Sequence, residues 1–309
     1  MSASFSSALG AALEAAGAQH YPQGTLYVVA TPIGNLADIS LRALHVLALA
    51  DRVACEDTRH TQALLRAYGI DKSGAQLLAV HQHNEAQAAH AVVDLLRAGL
   101  RVAYVSDAGT PGVSDPGARL VAQVRAQGLR VVPLPGASSV TTLLSAAGVV
   151  QDAEGGTGFV FAGFLPSKAT ERTHAVQALQ TQTQATVLLE APHRIEALAL
   201  ALAVLGERWV TVGRELTKQF EEIATLRADA LVAWLAADAN RLRGEFVLVL
   251  HPLQATAEVA QDDRVLKLLL EQLPLKTAVK LAADISGEPR NALYERALAL
   301  KAAPDEAAD

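Results

Sequence analysis

With 309 residues, 51% of them hydrophobic, the chain is too long for one core and has material for two domains and an appendage. Aromatic residues at 4% exclude a stacking platform for single-stranded nucleic acid, and a net charge of −6 excludes binding driven by a whole-protein positive field. One cysteine, Cys55, excludes a disulfide framework, suits a reducing compartment and reads as a small buried strand residue.

Residues 1–20 lack Lys and Arg and carry Glu14, so they make a poor signal peptide and read as a frayed tail. The longest purely apolar run, Ala197–Leu205, is too short for a bilayer, and a soluble, cytoplasmic protein is expected. Gly24–Ala30 reads as a first buried strand, ending in the turn-rich Thr31–Leu36. Ser40 then caps a helix to Ala50, and Arg52–Glu56 is a short second strand. A helix from Thr58 stops before Gly69. Gln76–Val80 is a third strand, closing on His81–Glu85, and a helix runs over Glu85–Ala98.

The stretch Arg101–Gly117, RVAYVSDAGTPGVSDPG, is the most informative in the chain. A buried strand, Val102–Val105, stops at Ser106-Asp107 and opens a long Gly- and Pro-rich loop. Such a loop at the carboxyl end of a parallel strand is where α/β proteins hold ligands. Asp115 fits as the N-cap of the next helix, with Pro116 at its first position. A fifth strand at Arg130–Leu134 leads through Pro135–Ser139 into another helix. This alternation predicts a doubly wound parallel sheet.

The glycine-rich Gln151–Gly158 marks a domain junction. Beyond it, strands are expected at Phe159–Gly163, Thr186–Glu190, Trp209–Gly213, Glu221–Leu226 and Glu245–Leu250, forming a mixed sheet. The expected division is 1–23 disordered tail, 24–150 first α/β domain, 151–250 second α/β domain and 251–261 linker. A helical, helix-turn-helix-like unit at 262–301 and a tail at 302–309 complete it.

Strand order brings the loops at 31–38, 56–59, 81–85, 106–115 and 135–139 to one edge of the first sheet. Backbone amides, small hydroxyls and a few carboxylates there suit an adenosine-type ligand. The first loop, Thr31-Pro32-Ile33-Gly34-Asn35, is not G-x-G-x-x-G, and no P-loop occurs, so nicotinamide and ATP chemistry are disfavoured. His81-x-His83 lacks a third ligand, and no metal site is expected. Basic groups gather at strand ends of the second domain, around Lys168, Arg194 and Arg214–Lys218, where they could meet phosphate.

The segments VATPIGNLADIS, CEDTRHTQALL, HNE, SDAGTPGVSDPG, PLPGASS, GFLPSK, APHR, RELTK and GEFVLVL occur in this order. Together they closely resemble the bacterial small-subunit ribosomal RNA methyltransferase I family of the tetrapyrrole methylase superfamily, over about Gly24 to Lys301. The resemblance implies two α/β domains with S-adenosylmethionine in the cleft between them, a homodimer, and 2′-O-methylation of a cytidine ribose in the decoding region of small-subunit rRNA. It places the cofactor against Pro32, Gly34, Asp107, Ala108, Gly109, Thr110, Ser114, Asp115, Gly136, Ala137, Ser138 and Ser139. Asp57 and His83 are the candidate general bases by location, and Arg59, Lys168, Arg172, Arg194, Arg214 and Lys218 the candidate RNA contacts. Two stretches depart from the pattern: the lengthened linker Gln151–Gly158, and Ala191-Pro192 before His193-Arg194. A tetrapyrrole methyltransferase is the alternative reading, and a non-enzymatic ligand sensor working through the C-terminal helices a third.

Overall fold

The computed structural model describes residues 5, 7–81, 84–149, 158–253, 264–287 and 289–302. His83, most of the 151–158 and 251–261 linkers, and 303–309 of the C-terminal tail lie outside the described residues.

The chain opens with α1 (Ser7–Ala16), a segment expected to be frayed. Its small face, Ala12 and Ala16, is buried against α2 (Leu41–Leu49), and Phe5 stacks on Tyr68 at a centroid distance of 6.0 Å. Alanine-rich segments carry little hydrophobic signal of their own, so only the partner surface reveals this helix. Between α1 and α2 runs β1 (Thr25–Val29). Next come β2 (Arg52–Cys55), α3 (Thr58–Ala67), β3 (Leu77–Ala79), α4 (Glu85–Arg97), β4 (Val102–Val105), α5 (Gly117–Ala126), β5 (Arg130–Leu134) and α6 (Ser139–Ala146).

The five strands form the expected parallel sheet, in the order β3-β2-β4-β1-β5. Apolar clusters cover both faces, one with Tyr27, Leu44 and Leu47 and the other with Leu26, Val92 and Tyr104. Burial on both faces explains why β1 and β4 read as unbroken apolar runs. Cys55 is fully buried, and burial pushes its thiol up to about 11, as expected of an inert core residue.

The second sheet is built from β6 (Phe159–Phe164), β7 (Ala185–Glu190), β8 (Trp209–Arg214), β9 (Glu222–Arg227) and β10 (Phe246–Leu250). Helices α7 (Ala169–Leu179), α8 (Ile195–Leu202) and α9 (Leu231–Ala236) cover one face with a core that includes Leu198, Leu231 and Leu248. The order is β6-β7-β10-β8-β9, with β6 and β7 parallel and the remaining pairs antiparallel. The mixed sheet predicted from strand spacing is therefore present. Its opposite face meets α6, where Leu143 packs with Val187, Val247 and Val249 and joins the two α/β domains.

Residues 254–309 form a separate unit. Helices α10 (Arg264–Gln272), α11 (Leu275–Ser286) and α12 (Arg290–Ala302) share a small core of Leu266, Val279, Ala282, Leu293 and Ala297. Gly287, with φ 75°, turns the chain between α11 and α12. Among the described residues, no helix is long and apolar enough to cross a membrane.

Candidate active site

The loops at the carboxyl ends of β1, β2, β4 and β5 are tied to one another by hydrogen bonds. Thr31 and Gly109 exchange backbone bonds, the Thr31 N–H reaching the Gly109 carbonyl at 2.9 Å and the Gly109 N–H returning at 3.1 Å. Gly109 has φ 83°, and a Cβ there would lie 3.1 Å from Ile33 Cγ2, so a side chain is disfavoured by both conformation and space. The Thr110 hydroxyl donates to the Ala137 carbonyl at 3.0 Å, and Asp107 Oδ1 accepts the Asp57 N–H at 3.2 Å. The cradle is thus held together by the protein's own hydrogen bonds.

Asp115 anchors the far end of the central loop. It accepts from the Gly112 N–H at 2.7 Å, the Gly117 N–H at 2.8 Å and the Tyr104 hydroxyl at 3.0 Å. Burial and the adjacent Asp115 carboxylate hold the Tyr104 phenol far above its ordinary value. Helix α5 starts one residue later than predicted, with Pro116 in the cap position, while Asp115 still supplies the capping oxygen. Glu56 lies in this hollow as well, and burial, followed by the nearby Asp107 and Asp115 charges, raises its carboxyl above the usual range.

Three adjoining cavities line this edge and share Ile33 and Ala108 in their walls. A lobe of 150 Å³ holds Glu56, Asp107, Gly109, Thr110, Ser114, Asp115, Ser138 and Ser139. A lobe of 520 Å³ is walled by Pro32, Gly34, His60, Asp107 and Lys218. The third, of 360 Å³, lies between the two α/β domains and adds Phe164, Glu190, Pro192 and Leu216. The two larger lobes, of 360 and 520 Å³, are in the range of small-molecule sites. Ten of the twelve residues expected to hold the cofactor line these lobes. The other two, Gly136 and Ala137, stand behind them. Gly136 packs so closely on Ala30 that a Cβ would lie 2.8 Å from the alanine methyl, and Ala137 receives Thr110.

The predicted catalytic and RNA-contacting residues fare differently. Asp57, expected as a proton acceptor, is instead the N-cap of α3, its Oδ1 accepting the Arg59 N–H at 2.7 Å and the His60 N–H at 3.3 Å. The bond from the Arg59 guanidinium, then these amide bonds, hold its carboxyl below the usual range. Arg214 is only 6% exposed and donates to the Asn240 and Phe220 carbonyls, so it braces loops rather than phosphate. Arg194 is likewise turned inward, toward Glu190 and the Leu165 carbonyl. In both cases the guanidinium is taken up by oxygens of the protein itself, a use that charge at a strand end does not disclose. Arg59, Lys168 and Arg172 remain at the surface, where Arg59 pairs with Asp57 and Lys168 with Glu171.

Lys218, also expected on RNA, belongs to the cleft. Its stem lies on Gly34, where a Cβ would come within 2.4 Å of the lysine Cγ. Its ammonium bridges Glu215 at 2.8 Å and Glu245 at 3.0 Å. The turn that delivers it contains two non-glycine residues in left-handed conformation, Glu215 (φ 51°) and Thr217 (φ 66°). Such backbone is costly, above all for a β-branched residue, and clusters at functional sites. Among the described residues, no three His, Cys, Asp or Glu side chains gather into a metal-binding group.

Comparison with known proteins decides the family. The tetrapyrrole (corrin/porphyrin) methylase pattern matches residues 25–232, and the pattern of the RsmI C-terminal HTH domain matches 256–301. The ribosomal RNA small subunit methyltransferase I of Escherichia coli O157:H7 is 47% identical over 280 residues, covering 89% of this chain and 95% of its own. The protein of that name from Pseudomonas aeruginosa is 47% identical over 281 residues, covering 89% and 97%. The chain belongs to the small-subunit ribosomal RNA methyltransferase I family, within the tetrapyrrole methylases.

Members of this family share their fold with solved tetrapyrrole methylases. A uroporphyrin-III C-methyltransferase from Thermus thermophilus superposes with a TM-score of 0.51 at 22% identity, covering 74% of this chain and 94% of that one. A cobalt precorrin-4 methyltransferase gives 0.53 at 18%, covering 75% and 98%. For this member of the methyltransferase I family, the match extends past the two α/β domains into the C-terminal helices.

Proposed function

We propose that the protein transfers a methyl group from S-adenosylmethionine to the 2′-hydroxyl of a cytidine ribose in the decoding region of small-subunit rRNA. The observation that carries this reading is the preformed cleft at the carboxyl edge of the first sheet, in a chain 47% identical to small-subunit rRNA methyltransferases. The residues present fit the cofactor. Close-approach glycines, backbone amides and the hydroxyls of Thr110, Ser138 and Ser139 line or back the hollow, with Glu56 and Asp107 available to a ribose diol. The bound cofactor supplies an electrophilic methyl group on a sulfonium.

The protein's own part is positional. Stitched loops hold the ligand, and the cleft brings donor and acceptor together. Arg59, Lys168 and Arg172 are the surface cations placed to meet RNA phosphate, and two copies of the chain form the working assembly. The test is transfer of tritiated methyl to unmethylated small subunits, to naked rRNA and to a tetrapyrrole precursor, followed by nucleoside analysis. Label in 2′-O-methylcytidine is expected. Label confined to the macrocycle would replace this reading with tetrapyrrole methylation.

A further inference from the structure

The Glu190-Ala191-Pro192-His193-Arg194 run at the end of β7 contributes to the cleft wall but has so far been given no chemical role. Glu190 forms part of the wall of the 360 Å³ inter-domain lobe, opposite Ala108 and Ser139 of the cofactor loops. Its side chain is 0% exposed. One carboxylate oxygen, Oε1, accepts the Ala191 N–H at 2.9 Å and lies 3.0 Å from Arg194 Nε, an ion pair whose N–H is not aligned on the oxygen. The other, Oε2, has no hydrogen-bond partner among the described residues. A charged oxygen left without a donor in an apolar wall is expensive, and such an exception in a folded protein calls for a function.

Three of the other cleft carboxylates have partners within the protein. Asp107 receives the Asp57 amide, Asp115 receives three donors, and Glu245 is tied to Lys218 at the rim. Glu56 lines the adjoining lobe with Asp107 and Asp115, where it is available to the cofactor's ribose diol. We infer that Glu190 Oε2 accepts the proton of the ribose hydroxyl that becomes methylated, with Arg194 holding the carboxylate in place through its other oxygen. This assignment rests on the reaction put forward above. In it a bond forms between the 2′-oxygen and the methyl carbon, and the carbon–sulfur pair stays on sulfur. The hydroxyl proton passes to Glu190 and then to water. The hydrogen bond required is made only when substrate enters the lobe, as is usual for catalytic contacts seen without ligand.

The test compares Glu190→Gln and Glu56→Gln with the full-length wild type. It measures single-turnover transfer to unmethylated small subunits between about pH 6 and about pH 9, S-adenosylhomocysteine affinity by calorimetry, subunit binding by filter retention, and thermal midpoint. Glu190→Gln should lose about 100-fold or more in rate, while both affinities stay within about threefold. Its residual rate should climb with pH as hydroxide replaces the missing acceptor, a change of profile that a packing role would not produce. If the glutamine variant lowers the midpoint enough to cloud the comparison, Glu190→Asp, which keeps the charge facing Arg194, should show a rate loss of about tenfold at unchanged affinity. Near-normal turnover of Glu190→Gln, or the same loss in Glu56→Gln alone, would overturn the assignment and leave the methyltransferase reading intact. A wild type that methylates no RNA would defeat that reading, and the role of Glu190 with it.

Discussion

Single residues in this molecule are set by what their polar atoms can reach. Lys72, only 7% exposed, gives its ammonium to the Ala48 and Ala50 carbonyls at 2.9 and 2.6 Å, satisfying the C-terminal end of α2, where a cation is favoured. Asp57 does the equivalent at the other pole of a helix, taking two amides at the start of α3. Asp57→Ala should therefore cost about 1 kcal/mol in urea unfolding, the usual value of an N-cap, and leave methyl transfer within about tenfold of wild type. His251 shows a third case. Its Nε2 meets the Thr211 hydroxyl at 2.7 Å, and burial, then the Arg208 charge, lower its pKa from the usual value. A histidine neutral in the folded state but protonated in the unfolded one contributes full stability above the unfolded pKa of about 6.5, and loses it as pH falls below that value. The urea midpoint should thus drop between about pH 7.5 and about pH 5.5, and the drop should shrink in His251→Asn.

Whole elements were legible where periodicity and turn chemistry agreed. The ten strands among the described residues lie where apolar runs and Gly-, Pro- or Asp-rich breaks place them; in the parallel sheet β1 and β4 are continuous apolar segments, whereas β9 of the mixed sheet alternates. The central loop was readable for a related reason: Gly109 and Gly112 occupy left-handed backbone that favours glycine, and Asp115 is a residue type suited to accepting backbone amides at a helix start. Helix α1 was not, since its identity lies in the groove it fills. Guanidinium direction was equally hidden. Arg194 and Arg214 sit at strand ends like surface cations, yet Arg194 turns to the Leu165 carbonyl and the Glu190 carboxylate, and Arg214 to the Asn240 and Phe220 carbonyls. The left-handed Glu215 and Thr217 carry no sequence mark either, since neither residue type favours that conformation. What packing imposes on a residue against its own preference cannot be read from the residue.

At the scale of the whole molecule, two different routes to a sheet share one chain. The first sheet is complete once β5 is made, its five strands all supplied by residues 25–134. The second is not. Its central strand, β10, is the last of the domain in sequence, yet it lies between β7 and β8 and pairs with both. Until Phe246–Leu250 emerges from the ribosome, β7 and β8 have no common partner, and the apolar face that α6 must meet stays incomplete. Synthesis therefore delivers a finished first domain tethered to an unfinished second one, consistent with the N-terminal-first folding of multidomain chains. A nascent chain stalled before residue 246 should show a protease-resistant first domain and a digestible second, and resistance should spread to the second domain only after the β10 segment is released. Digestion of both domains at that stall point would refute the order. An enzyme proposed to finish ribosomes would thus have its own completion timed by one.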